Sequence, residues 1–123
     1  SRFSASGQPQ TADILIANWN GSAFVRDSNS ATIMKEVNTS KNLEYAPAIS
    51  SSGLELFFTR LEGSTPAIYV ATRTDVSSPF GMPRKITAAT GFVEGPTLSP
   101  DEKSLYCHKR EGSLFVIYRL TRT

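Results

Sequence analysis

The second half of this 123-residue chain is written twice. Pro47-Ala48-Ile49-Ser50 returns 49 residues later as Pro96-Thr97-Leu98-Ser99, and the offset holds without a gap to Thr123. Over 47–74 against 96–123, 11 of 28 positions are identical, among them Leu56/Leu105, Glu62/Glu111, Gly63/Gly112, Ile68/Ile117 and Tyr69/Tyr118. Chance matching at ordinary amino-acid usage gives about 2. A segment duplicated at this level folds into the same supersecondary unit twice, and such units bury their apolar faces against one another. A weaker third copy precedes them: Ala12–Ala17 is similar to Pro66–Ala71, and Val37 matches Ile86 at the same 49-residue offset. The chain divides accordingly into a partial N-terminal unit of outer strands with a linker (1–45), a complete unit (46–95) and a C-terminal unit lacking its last strand (96–123).

Each unit reads as strands. Leu54–Thr59 is short, apolar and aromatic, and Ala67–Thr72 is rich in β-formers after a Gly-Ser-Thr-Pro turn cluster. Ser51-Ser52-Gly53 and Pro100-Asp101-Glu102 carry tight-turn chemistry. Asn20-Gly21 predicts a type I′ hairpin between Ile14–Trp19 and Ser22–Arg26. Ser30–Val37 has only weak helical character, and a short turn or a strand fits it equally. Apolar residues fall on both faces of the main strands: Leu54, Leu56 and Phe58 point one way and Phe57 the other. A lone sheet with one wet face would alternate more cleanly. A period near 50 residues with about four short strands is the pattern of β-propeller blades stacked face to face. The expected fold is all-β: about two and a half four-stranded antiparallel blades. Because these cannot close a ring alone, they are expected to be part of a larger propeller or to be completed by oligomerisation.

Composition excludes several function classes. Thirteen Lys and Arg against 11 Asp and Glu give a net charge of +2, with no basic block to neutralise phosphates, so no nucleic-acid partner is expected. No apolar run approaches the ~20 residues of a spanning helix, so no membrane insertion is expected. One Cys and one His leave neither a disulfide framework nor a His- or Cys-built metal centre, and no metal or cofactor is expected. No secretory leader is visible, and the repeat favours a piece of a longer protein. No phosphate-binding glycine loop, EF-hand loop or zinc-protease motif is present.

Ile68-Tyr69-Val70-Ala71-Thr72-Arg73, Pro79–Pro83 and, above all, Gly95-Pro96-Thr97-Leu98-Ser99-Pro100-Asp101-Glu102-Lys103-Ser104-Leu105-Tyr106 resemble the bacterial WD40-like (PD40) repeat of TolB-type β-propellers. Asp13-Ile14-Leu15-Ile16 is similar to that repeat's last motif strand, and Ser1-Arg2-Phe3 with Ser6-Gly7 to the loop before it. The resemblance covers almost the whole chain. It implies strands at Ala48–Ser50, Leu54–Arg60, Ala67–Arg73 and Arg84–Thr87, then at Thr97–Ser99, Ser104–Lys109 and Phe115–Leu120. It also implies a periplasmic or extracellular protein. Two turns depart from the family pattern: Ser50-Ser51-Ser52-Gly53 lacks the usual Asp, and Glu102 stands where Gly is usual. Glu is costly at positive φ, so that turn is expected to be strained or of another type.

Candidate chemistry is sparse. Cys107 and His108 are the only thiol and imidazole, but adjacent strand residues face opposite ways, so they do not form a dyad. Glu44, Glu94, Glu62 and Glu111 are the carboxylates that could pair for glycoside hydrolysis. Repetition from unit to unit argues against catalysis, and no catalytic residue is expected. Tyr45, Arg60, Glu94, Lys109 and Arg110 combine charge with an aromatic ring on expected rim loops and form the candidate binding set. Trp19, beside the Asn20-Gly21 turn, is either an exposed contact residue or packed on a neighbouring unit. If the source is bacterial, as the resemblance implies, the sequons at Asn20 and Asn38 are incidental. The function expected is a non-catalytic scaffold that binds a protein partner or self-associates through open blade faces, possible homo-oligomers included. The alternative is the C-terminal blades of a larger propeller hydrolase whose catalytic residues lie elsewhere.

Overall fold

The computed structural model describes residues 2–7 and 9–123, so the Ser1 part of the expected N-terminal loop lies outside the described residues. Among the described residues the chain is all-β apart from one helical turn, and every strand pairing is antiparallel. The central sheet has the order β5 (Leu43–Ile49), β6 (Glu55–Glu62), β7 (Thr65–Thr72), β8 (Arg84–Lys85). The C-terminal sheet has β9 (Val93–Leu98), β10 (Ser104–Glu111) and β11 (Leu114–Thr121) in sequence order. Two small hairpins precede them: β1 (Arg2–Phe3) with β2 (Pro9–Thr11), and β3 (Ala17–Trp19) with β4 (Phe24–Arg26).

The sequence repeat is a structural repeat, residue for residue. Glu55↔Thr72 through Glu62↔Thr65 in the β6–β7 hairpin become Ser104↔Thr121 through Glu111↔Leu114 in β10–β11. Gly63 and Gly112 close these hairpins with φ of 63° and 61°, a left-handed conformation that glycine adopts without a Cβ clash. The bulge is repeated as well. Tyr45 pairs with Thr59 and Ala48 with Phe57, leaving Ala46 and Pro47 opposite Phe58. Glu94 pairs with His108 and Thr97 with Tyr106, leaving Gly95 and Pro96 opposite Cys107. Proline lacks the N–H that a regular ladder needs, so both copies place it in the bulge. The bulge also explains why β5 and β9 begin five and four residues before the expected Ala48 and Thr97: the ladder resumes on the far side of the proline.

The turn before β6 is repeated too. Ser50 Oγ accepts the Glu55 N–H and Ser99 Oγ the Ser104 N–H, each at 3.0 Å. Gly53 and Glu102 occupy the same turn position with φ of 77° and 60°. Glu102 therefore takes the strained outcome, at a cost of about 1 kcal/mol for a residue with a Cβ.

The central sheet is covered on both faces. Leu56, Phe58 and Ala71 pack with Ile14, Ile33, Met34, Val37 and Phe80. Phe57, Ile68 and Val70, on the other face, pack with Ala89, Val93, Leu105 and Cys107 of the C-terminal unit. β9, the edge strand of that sheet, lies against β5, β6 and β7.

The N-terminal segment departs from expectation. Of Ile14–Trp19 only Ala17–Trp19 forms a ladder, and Val37 follows the one-turn helix α1 (Ser30–Ile33) with no strand of its own. Side chains take the backbone groups that a neighbouring strand would have used. Asn38 Oδ1 accepts the Ile14 N–H at 2.8 Å and Asn38 Nδ2 donates to the Ile14 carbonyl at 2.9 Å, while Ser30 Oγ accepts the Ile16 N–H at 2.9 Å. The Asn20-Gly21 hairpin forms, but with four residues between Trp19 and Phe24, so it is not the two-residue I′ type. Asn20 Oδ1 accepts the Ser22 and Ala23 N–H groups and holds the longer loop closed.

Candidate functional site

The five candidate binding residues stand on strands, not on loops: Tyr45 on β5, Arg60 on β6, Glu94 on β9, and Lys109 and Arg110 on β10. Glu44, beside Tyr45, is likewise a strand residue, since the ladder extends past the bulge.

Tyr45 and Glu94 come together. They occupy the same position in the two copies, and the Tyr45 hydroxyl donates to Glu94 Oε2 at 2.7 Å. The other carboxylate oxygen lies 3.1 Å from His108 Nε2, across the β9–β10 pair. The imidazole rests on Gly95: a Cβ there would sit 3.0 Å from Cε1 and 3.1 Å from Nδ1. In the central copy the corresponding pair is Ala46 and Thr59, where the smaller side chain leaves room for a methyl group. Burial, reinforced by the Glu94 carboxylate, pushes the Tyr45 phenol above its ordinary range, so it remains a protonated donor. Beside it opens a cleft of about 480 Å³ with Leu43, Leu61, Ala12 and Phe3 among its lining residues. On the other side of His108, its ring meets Phe115 edge-on at 5.4 Å; Phe115 meets Phe92 at 6.0 Å, and Arg110 lies 4.2 Å over Phe92.

Nothing in this cluster supplies a nucleophile. Cys107 points to the opposite face of β10, into the interface with the central sheet, and burial raises its thiol above the ordinary value. The Cys-His dyad is thus excluded by geometry, as the strand alternation requires.

The other candidates serve the fold. Arg60 lies inside: its Nε meets Glu44 Oε2 at 2.9 Å, its Nη2 donates to the Val37 carbonyl at 2.8 Å, and its guanidinium lies 4.6 Å from the Tyr69 ring centre. It is therefore corrected from a rim residue to an interior one: the carboxylate of Glu44, fully buried, requires a cation beside it. Lys109 Nζ reaches Thr90 Oγ1 at 3.3 Å and lies over Tyr118, facing away from Arg110. Glu62 and Glu111 accept the hydroxyls of Tyr69 and Tyr118, the same pair in each copy. Tyr69, then Lys85, holds the Glu62 carboxyl below its usual range.

A second repeated device joins the copies. Arg122 Nε donates to the Glu102 carbonyl at 2.8 Å, and its Nη1 and Nη2 grip Glu55 of the central copy at 2.9 Å each. Arg73, its counterpart, makes the same 2.8 Å bond to the Gly53 carbonyl, but its buried Nη1 has no partner. Sequence reasoning missed both this clasp and the place of His108. The Glu94/His108 register was available from the repeat, because it follows from the bulge. The Arg122–Glu55 contact was not, because it depends on how one sheet lies on the next.

Among the described residues no group of three His, Cys, Asp or Glu could hold a metal ion, and no helix is long and apolar enough to cross a membrane. No family model matches the chain, and no curated protein matches its sequence.

Proposed function

We propose that the chain is a run of β-propeller blades of the bacterial WD40-like, TolB-type kind, acting as a non-catalytic scaffold for protein contacts in the bacterial envelope or outside the cell. The observation that carries this reading is the central sheet, whose two faces are buried by the units before and after it. A unit that needs a neighbour on each side belongs to an array, and arrays of this kind present surfaces for binding. Fanning about a common axis is supported by the inner strand β9, which comes closest to the central sheet while β10 and β11 make no comparable approach. A binding role is supported over chemistry because Glu44 is engaged by Arg60, Glu62 and Glu111 by tyrosines of their own units, and Glu94 by a phenol and an imidazole. The Tyr45–Glu94 cleft offers a surface for a ligand, with apolar walls and two polar groups.

The test is to insert further copies of segment 46–94 in tandem. Each added blade contributes one more interface, so the unfolding midpoint should rise with copy number in a single cooperative transition. Copies that melt independently, at an unchanged midpoint, would refute the array. Turnover of ester, peptide or glycoside substrates that disappears in H108Q would refute the non-catalytic assignment.

A further inference from the structure

Glu94 differs from the paired carboxylates of the sheets. Glu44, Glu55 and Glu62 each meet an Arg or Lys nitrogen at 2.9 Å. Among the described residues no Arg or Lys pairs with Glu94, whose partners are the Tyr45 hydroxyl at 2.7 Å and His108 Nε2 at 3.1 Å. The phenol is a neutral donor, and the imidazole balances the negative charge only when it is protonated. The Glu94 side chain is 22% exposed, and it borders the cleft of about 480 Å³. All three units build that cleft: Phe3 and Pro9 come from the β1–β2 hairpin, Leu43, Tyr45 and Leu61 from the central sheet, and Glu94 from the C-terminal one. A carboxylate drawn partly out of water beside apolar walls loses hydration that an entering cation can replace.

We infer that this cleft binds a primary ammonium carried on an alkyl stem, the group at the end of a lysine side chain and on a free alkylamine. The ammonium meets Glu94, and the stem lies along Leu43, Leu61 and Pro9, as lysine stems lie along apolar surface. The rings of Phe3 and Tyr45, also in the lining, offer faces that attract a cation. Each oxygen of Glu94 already accepts one bond. A guanidinium, whose fork takes both oxygens at once, therefore has less room than an ammonium, which needs only one. This inference rests on the binding reading above and names the chemical class of its ligand.

The test is a titration of the full chain with n-butylamine and with n-butanol, in an amine-free buffer at a pH where an imidazole is neutral, followed by the methyl resonances of Leu43 and Leu61. Butylamine should shift both methyl sets saturably. Butanol has the same stem without the charge and should bind at least about tenfold more weakly. E94Q should weaken butylamine by a similar factor and leave butanol unchanged. Nα-acetyl-lysine N-methylamide separates the sources: displacement of butylamine by it supports a lysine side chain of a partner, and butylamine binding without displacement supports a free amine. Butanol binding as tightly as butylamine, no binding of butylamine, or an E94Q chain that binds butylamine like the wild type would overturn the inference. The butanol comparison needs only the wild type, so it decides even where E94Q fails to fold. Cross-peaks between the Ile68 and Val93 methyls in the same sample separate the two readings. Their presence without butylamine binding keeps the array and removes only the ammonium site, whereas their absence would refute the array.

Discussion

Replacing Arg60 with alanine should destabilise the chain more than any substitution on its surface. Glu44 is fully buried, and its carboxylate has three partners: the Thr39 N–H at 2.8 Å, the Thr39 hydroxyl at 2.9 Å and Arg60 Nε at 2.9 Å. Removing the guanidinium leaves a buried anion with two neutral donors, and breaking a buried pair in this way costs about 3–5 kcal/mol. R60A also loses the bond to the Val37 carbonyl and the contact with the Tyr69 ring. Against a total stability of about 5–15 kcal/mol, this is a large fraction, and the unfolding temperature should fall by about 10–20 °C. The C-terminal unit supplies a control. At the positions of Glu44 and Arg60 it has Val93 and Lys109, with Val93 buried. The double substitution E44V/R60K removes the buried carboxylate and leaves a lysine whose flexible stem can carry its charge to solvent, as Lys109 does beside Val93, so it should cost less than R60A alone. Urea denaturation followed by circular dichroism measures all three chains. An R60A chain within about 1 kcal/mol of the wild type would refute the interior role of Arg60 and return it to the candidate binding surface.

Other consequences follow from the same geometry. Gly95 has a φ of 72° and a His108 ring atom 3.0 Å from where a Cβ would lie, so G95A should cost about 1–2 kcal/mol. G95A/H108T, which copies the Ala46/Thr59 pair, should cost less than G95A alone when both are measured by urea denaturation. The Glu55 carboxyl is held below its ordinary value of 4.5, chiefly by its bonds to Arg122. A depressed folded-state value contributes stability above the unfolded value and loses it as pH falls through the folded one. The urea midpoint should therefore fall below about pH 4.5, less steeply in E55Q than in the wild type. Cys107 is buried with a raised thiol, so it should react with a disulfide reagent slowly in the native chain and rapidly in urea; fast native labelling would show that the interface between the units is open.

The sequence was most legible where local chemistry and the repeat agreed. The Gly63 and Gly112 hairpins, the Leu56 and Leu105 strands and the two-faced apolar pattern could all be read from residue types and spacing. Strand starts were misplaced at Pro47 and Pro96, because a proline looks like an end unless the bulge that accommodates it is anticipated. The N-terminal segment was read as strands from its apolar pattern. Asn38 and Ser30 instead satisfy the backbone of Ile14 and Ile16, a long-range competition that periodicity does not carry. Candidate binding residues were chosen by charge, and charge does not distinguish Arg60, locked on Glu44, from Arg110, which lies exposed over Phe92.

The account stands on two duplicated sheets lying one upon the other through Phe57, Ile68 and Val70. Methyl-resolved nuclear Overhauser spectra of the full chain test this directly. Cross-peaks linking the Ile68 and Val70 methyls to those of Val93 and Leu105 are predicted, since all four belong to one buried cluster. Their absence, with strong solvent exchange at Ile68, would contradict the stacking and everything built on it.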